Sequence, residues 1–386
     1  VQTAFPSTPF SATENGTVGN GETNRTGAAH ERRRTAFRQG ASSVRFALAL
    51  IGAILWSVGS AAAEPPLVPR VLVVVAFQDN GTSPPTMEAA PWVRREGLSD
   101  PIVTASHVSL RCNVPRTICL LVSGVGKTNA LAALLSLGLD PGVDLRRTYV
   151  VVSGIAGVSP EQATIGTPAW ASYVVDYDLA HEIDARQLPA SFPDSRFEQG
   201  CMTTPWCGKA GWRAGTEMYR LDPKAVRFAY AITRHVALSD PPLLANVRAR
   251  YAQPAARARP HVTRCDIVAG DTYWVGSRLG RFSDAWMKHW TAGRGTYCMT
   301  ANEDVAFAVA MKKLTQMGRG DYARFVDLRT GSDFDREHPG QTAIEALRAG
   351  IADGTFEVAA ENGYRTARVF VRYVNEHWDS LRNGLP

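Results

Sequence analysis

Past Glu64 the chain has no stretch approaching the ~20 uninterrupted apolar residues that crossing a bilayer requires, which excludes a multi-span transporter. It has no C-x-x-C and no paired histidine spacing, so a structural zinc site is disfavoured and no metal is called for. It has no basic stripe downstream of its start. The formal net charge of +6 reflects a cluster at Arg32, Arg33, Arg34, Arg38 and Arg45, so no nucleic-acid partner is expected. It also lacks the first glycine of a phosphate-binding P-loop. Gly126, Lys127 and Thr128 copy the end of that motif, but Leu121 stands where the glycine should be. ATP is thereby set aside, and a tight strand-to-helix turn with a solvated Lys127 is expected. No internal repeat is visible, and nothing demands an organic cofactor.

What is present describes a globular protein. Of 386 residues 45% are hydrophobic and 20% charged, enough for a sizeable core. The arginines near the start precede FALALIGAILWSVGSAAA at 46–63, an apolar run closing on an A-x-A pattern, as in an export signal cleaved after Ala63. A retained N-terminal anchor is the rival reading. Residues 1–45 then form a Thr-, Asn- and Gly-rich extension with a basic end, expected to be disordered or to lie upstream of the expressed protein. Residues 64–386 form one domain, periplasmic or extracellular. Six cysteines behind such a signal favour disulfides. Cys112 with Cys119, and Cys201 with Cys207, are near enough to close local loops, which leaves Cys265 for Cys298, although other connectivities stay open.

The most informative stretch runs from Leu120 to Pro160. It reads LLVSGVGKTNALAALLSLGL, a short polar turn, then RRTYVVVSGIAGVSP. Each half is a β-branched run that meets Ser-Gly, and the first continues into a helical stretch suited to a parallel crossover. Both strands are expected to end in glycine turns, which in an open α/β sheet face the ligand crevice. Further strands are expected at Val71 to Phe77, Gly166 to Asp176, Cys265 to Ala269 and Phe325 to Arg329. Helices are expected at Asp222 to Leu238, capped by Asp222 with Pro223 first, and at Asn302 to Met317. A last long helix carries Ala367, Phe370, Val371, Val374 and Trp378 on one stripe.

Polar residues collect past these strand ends: Glu88, Asp271 with Tyr273 and Trp274, Glu303 with Asp304, and Ser332 with Asp333. Singly each has a plain structural role, as a cap, a first-turn carboxylate or a core aromatic. Their succession is more specific. SGIAGVSP at 153–160, YDLAHEIDARQLP at 177–189, GTEMYRLD at 215–222, CDIVAGDTYWVG at 265–276, YCMTANED at 297–304 and RTGSDFDR at 329–336 span nearly the whole mature chain. This set resembles the purine nucleoside permease family, within the nucleoside phosphorylase and nucleosidase superfamily.

The resemblance implies an α/β fold of three α/β/α layers around a central mixed, largely parallel twisted sheet, and a purine nucleoside as ligand. It implies that Asp333 acts as an acid at purine N7, so that the base departs neutral while the ribose becomes oxocarbenium-like. Asp333 then needs a raised pKa from a desolvated setting. Glu303, beside Asn302, would bind ribose hydroxyls, and Tyr273 or Trp274 would stack on the base. Ser332 and the segment Ser153, Gly154, Ala156 and Gly157 would line the site. Phosphorylases of the superfamily carry an arginine where this chain has Val152, so water is the expected nucleophile, with Glu88 as its base and Asp79 as the rival base. A phosphate-dependent phosphorylase and a non-catalytic nucleoside-binding protein that assists uptake are the alternatives. Superfamily members are commonly oligomers with sites near subunit contacts, which leaves a homo-oligomer open.

Overall fold

The unbroken β-branched run VLVVV forms the buried centre of the sheet, as a strand covered on both faces must. The computed structural model describes residues 65–77, 87–98 and 100–386. The expected leader, the N-terminal extension and Asp79 lie outside the described residues. In chain order the strands are Val71–Val75 (β1), Asp100–Val103 (β2), Ser109–Cys112 (β3), Ile118–Val122 (β4), Tyr149–Val158 (β5), Pro168–Trp170 (β6) and Tyr173–Asp176 (β7). There follow Ala180–Glu182 (β8), Arg196–Glu198 (β9), Met218–Arg220 (β10), Thr263–Arg264 (β11), Asp266–Ala269 (β12), Tyr297–Ala301 (β13) and Phe325–Phe334 (β14). The helices that position the site are Ala89–Arg95 (α1), Lys127–Leu139 (α2), Pro223–Thr233 (α3), Ser277–Thr291 (α4), Asp304–Gln316 (α5), Ala343–Ala352 (α6) and Phe356–Glu376 (α7).

One mixed sheet runs β10-β7-β12-β13-β5-β1-β4-β3-β2, with β14 against β5 and β6 and with β11 on β6; β8 and β9 form a separate hairpin. The central pairs β4-β1, β1-β5 and β5-β14 are parallel, whereas β13 joins β5 antiparallel. Helices complete an α/β/α sandwich. α7 lies along β5 and β14, burying Ala367, Phe370, Val371 and Val374. Phe370, Val371 and Val374 each contribute about 1.5–3 kcal/mol of transfer free energy. α2 packs on α5, where a Cβ on Gly138 would stand 3.0 Å from Leu314 Cγ, so glycine is what permits this crossing. The disulfides are Cys112–Cys119, directly across the β3-β4 pair, Cys201–Cys207 in the loop after β9, and Cys265–Cys298 between the starts of β12 and β13.

Several expectations need correction. β5 does not stop at Ser153-Gly154 but runs on to Val158, and β14 likewise runs through Thr330-Gly331-Ser332-Asp333 to Phe334. The two stay paired, Arg329 beside Gly154 and, after a one-residue register shift between Gly331 and Asp333, Asp333 beside Gly157. These glycines mark close approach inside a strand, not a turn. The turn at Ser123-Gly124 does end its strand, and Gly124 and Gly126 there have φ of 81° and 93°. α3 starts at Pro223 under the Asp222 cap as expected but ends at Thr233. Trp378 begins a separate short helical turn, Trp378–Leu381, instead of closing the α7 stripe.

Candidate active site

β1 and β13 both flank the same edge of β5, but at different heights. β1 covers residues 149–152 and β13 covers 157 and 158. Among the described residues no strand pairs with 153–156 on that edge, and the opening is a crevice beyond the carboxyl ends of the strands. Glu88, just before α1, fills it. Its Oε1 accepts the Ile155 amide at 2.7 Å, and its Oε2 accepts those of Ala76 and Phe77 at 2.8 Å each. One side chain thus stands in for the missing strand and closes the end of β1. Burial pushes the Glu88 carboxyl above its ordinary value, opposed by Arg329 and by these amides. A carboxylate offers roughly four acceptor positions, so one remains toward the cleft.

The cleft has a volume of about 350 Å³ and is walled by Phe77, Val125, Ile155 and Phe356 beside the polar groups of β13 and β14. Its floor is Arg329. The guanidinium donates from Nε to Asp304 Oδ1 (2.8 Å), from Nη2 to Glu303 Oε2 (2.8 Å) and Asp304 Oδ2 (3.0 Å), and from Nη1 to the Ile155 carbonyl (3.1 Å). Glu88 Oε1 lies 4.0 Å from Nη1. Gly154 makes room for this ion, because a Cβ there would sit 2.9 Å from Arg329 Cζ and 3.0 Å from Glu88 Oε1. Asp327, two residues upstream on β14, is fully buried with no hydrogen-bond donor on either oxygen. Desolvation and the Asp304 carboxylate beside it raise its pKa well above the usual range. Glu88, Glu303 and Asp304 thus surround one cation, and the floor is acidic.

Glu303 precedes α5 and turns its carboxylate into the cleft. Oε1 accepts the Gly126 amide at 3.0 Å and Oε2 takes Arg329, leaving about two acceptor positions. Asn302 donates to the Gly270 and Asp271 carbonyls, at 2.8 and 3.1 Å, and so ties the GDTYW loop to β13.

Asp333 forms the opposite wall and is 6% exposed. Burial raises its pKa, partly opposed by two hydroxyl donors. Ser332 Oγ lies 2.7 Å from Oδ1 and 3.1 Å from the Ala156 carbonyl, and Tyr273 Oη donates to Oδ2 at 2.7 Å.

The structure therefore gathers Glu88, Ala156, Gly157, Tyr273, Asn302, Glu303, Ser332 and Asp333 around one cleft. Ser153 and Gly154 do not line it. Trp274 is not there either. It is buried in a second aromatic cluster, 5.7 Å from the Tyr177 ring in a stacked pair, because successive residues of the loop point to opposite sides. The amides of 154–157 belong to a strand instead of an open turn. Lys127 is not solvated: its Nζ lies 2.7 Å from Asp178 and 3.3 Å from Asp176, an ion pair that anchors the turn. Among the described residues the one grouping of metal-capable side chains, Glu198 with Cys201 and Cys207, has its sulfurs in a disulfide. Sequence reasoning gave Arg329 too little weight. The signal was its place two residues after Asp327 in a strand whose residues are all buried, since buried charges need partners.

Comparison with known proteins places these features in context. Residues 68–386 match the family model described as purine nucleoside permease (NUP). A probable purine nucleoside permease of Schizosaccharomyces pombe is 31% identical over 327 residues, covering 80% of this chain and 90% of that protein. A purine nucleoside permease of Candida albicans is 29% identical over 304 residues, covering 77% and 74%. Among solved structures, a 5'-methylthioadenosine/S-adenosylhomocysteine nucleosidase from Neisseria meningitidis aligns with a TM-score of 0.45 at 18% identity, over 80% of this chain and 99% of that one. Futalosine hydrolase of Helicobacter pylori aligns with a TM-score of 0.47 at 14% identity, over 78% and 97%.

Proposed function

The chain belongs to the purine nucleoside permease family, and from that premise we propose that it binds a purine nucleoside in this cleft and hydrolyses its N-glycosidic bond. The observation that carries the reading is the pairing of a buried Asp333, its pKa raised by desolvation, on one wall with an acidic floor of carboxylates on the other. Asp333 gives its proton to N7 as the C1′–N9 bond breaks and its electron pair passes to the purine. The two remaining acceptor positions of Glu303 take ribose hydroxyls. The last acceptor position of Glu88 holds a water, whose oxygen bonds to C1′ as its proton passes to the carboxylate. An acidic floor favours the positive charge that develops on the sugar.

The same floor disfavours phosphate as nucleophile. Val152, where the superfamily's phosphorylases carry arginine, points to water, and the two cations that could replace that arginine are engaged. Arg329 is held by Glu303 and Asp304, and Lys127 by Asp176 and Asp178. A dianion would face carboxylates without a bidentate partner.

The family name invites a second reading, a nucleoside-binding protein that assists uptake without cleavage. Among the described residues no helix is long and apolar enough to cross a membrane. The three disulfides support an oxidising compartment, hence export. Incubation with inosine and with adenosine, followed by quantification of free base, separates the two readings. Release of hypoxanthine or adenine is expected, and tight binding with no release would leave only the binding protein.

A further inference from the structure

We propose that Tyr273 is a displaceable plug on the acid, its hydroxyl occupying the position that the N7 of a bound purine must take. The inference rests on the reading of the cleft as a purine nucleoside site. Asp333 has two oxygens with different surroundings. Oδ1 faces the protein, against Ser332 Oγ, which lies in turn within reach of the Ala156 carbonyl. Oδ2 is the oxygen that meets Tyr273, itself a cleft-lining residue, so a proton bound for a ligand in the cleft leaves from Oδ2. The phenol oxygen stands 2.7 Å from it. A base nitrogen receiving that proton must stand at about 2.7–3.2 Å from the same atom. The two cannot be there together.

The loop is built for such an exchange. Its start is pinned: Asn302 holds the carbonyls of Gly270 and Asp271, Asp178 accepts the Asp271 amide at 2.8 Å, and Asp271 Oδ1 accepts the Lys127 amide at 2.6 Å. Its end is pinned by the Gly276 amide on the Asp335 carbonyl, at 2.8 Å, where Gly276 takes a φ of 147°. Between these points Tyr273 is 47% exposed, its ring at the cleft mouth and its hydroxyl turned inward. Rotation of the side chain alone withdraws the hydroxyl to water and lays the ring against the incoming base. Phenylalanine could stack as well, but only a hydroxyl can occupy the acid. The plug keeps the buried carboxyl satisfied, and the base must replace that bond on entry, so a ligand without an acceptor at the N7 position leaves Asp333 without a partner.

Equilibrium binding of adenosine and of inosine to the full chain tests this with two variants. Tyr273→Phe removes the plug and keeps the ring, and is expected to lower Kd by about tenfold, the scale of one hydrogen bond to a buried polar group, with KM falling in step. Tyr273→Ala removes plug and stacking together, and is expected to bind about tenfold or more weakly than Tyr273→Phe. A merely structural tyrosine predicts that both variants bind worse than the wild type. Equal or weaker binding by Tyr273→Phe overturns the plug. If the wild type binds nucleoside without cleaving it, the hydrolytic reading falls, while the order of the three affinities still decides the role of Tyr273.

Discussion

Replacing Asp333 by asparagine should move activity and stability in opposite directions. The substitution preserves shape and hydrogen bonding. Asn Oδ1 can accept from Tyr273, and Nδ2 can donate to Ser332 Oγ, whose own proton then turns to the Ala156 carbonyl 3.1 Å away. What disappears is the proton for N7. General acids contribute about 10²–10⁴-fold, so base release should fall at least ~10²-fold, about 2.7 kcal/mol of transition-state stabilisation. Nucleoside affinity measured by calorimetry should stay near the wild-type value. Stability should rise. Burial raises the folded-state pKa of Asp333 above its unfolded value of about 3.9. Below that value both states are protonated and the group costs nothing. As pH climbs, the unfolded chain releases this proton before the folded one does, so wild-type stability falls relative to a neutral isostere until the folded pKa is passed. Thermal melts of the two proteins should therefore nearly coincide near pH 4, once the other buried carboxyls they share cancel, and separate toward neutral pH with the variant more stable. Wild-type-like turnover, or a stability gap independent of pH, would refute the assignment of Asp333 as a desolvated acid.

In phosphate-free buffer the sugar product should be free ribose, identified by chromatography, whereas a rate proportional to added phosphate would show that a cation reaches the nucleophile after all. Glu88→Ala should slow hydrolysis more than it weakens binding. By leaving the amides of Ala76, Phe77 and Ile155 without their acceptor, it should also lower stability in denaturant titrations by about 2–5 kcal/mol. A silent Glu88→Ala with an inactive Asp79→Ala would move the base to Asp79. Gly154→Ala drives a methyl into an Arg329 that its ion pairs hold in place, so a loss of about 1–3 kcal/mol and a collapse of turnover are expected, and a variant with normal melting and activity would contradict the packing described.

Much of this molecule was legible in one dimension because the information was local. Apolar β-branched runs gave β1, β4 and the first half of β5, Asp222 with Pro223 marked the start of α3, and short spacings suggested two of the three disulfides. The order of acids after strand ends was also readable, so Glu88, Glu303 and Asp333 could be singled out before their meeting in one cleft was known. Other features depended on what stands across the gap. SGIAG reads as a break because glycine usually weakens a strand, yet β5 continues through it, since β14 pairs with it throughout and Arg329 needs the space above Gly154. Tyr273 and Trp274 are adjacent aromatics of similar character, and only packing sends one to Asp333 and the other to Tyr177. The sequence by itself determined which chemical groups this chain has and roughly where its central strands begin. Tertiary structure alone decided that Glu88, Glu303 and Asp304 share the guanidinium of Arg329, because charge interactions depend on distance through a low-dielectric interior and not on separation along the chain.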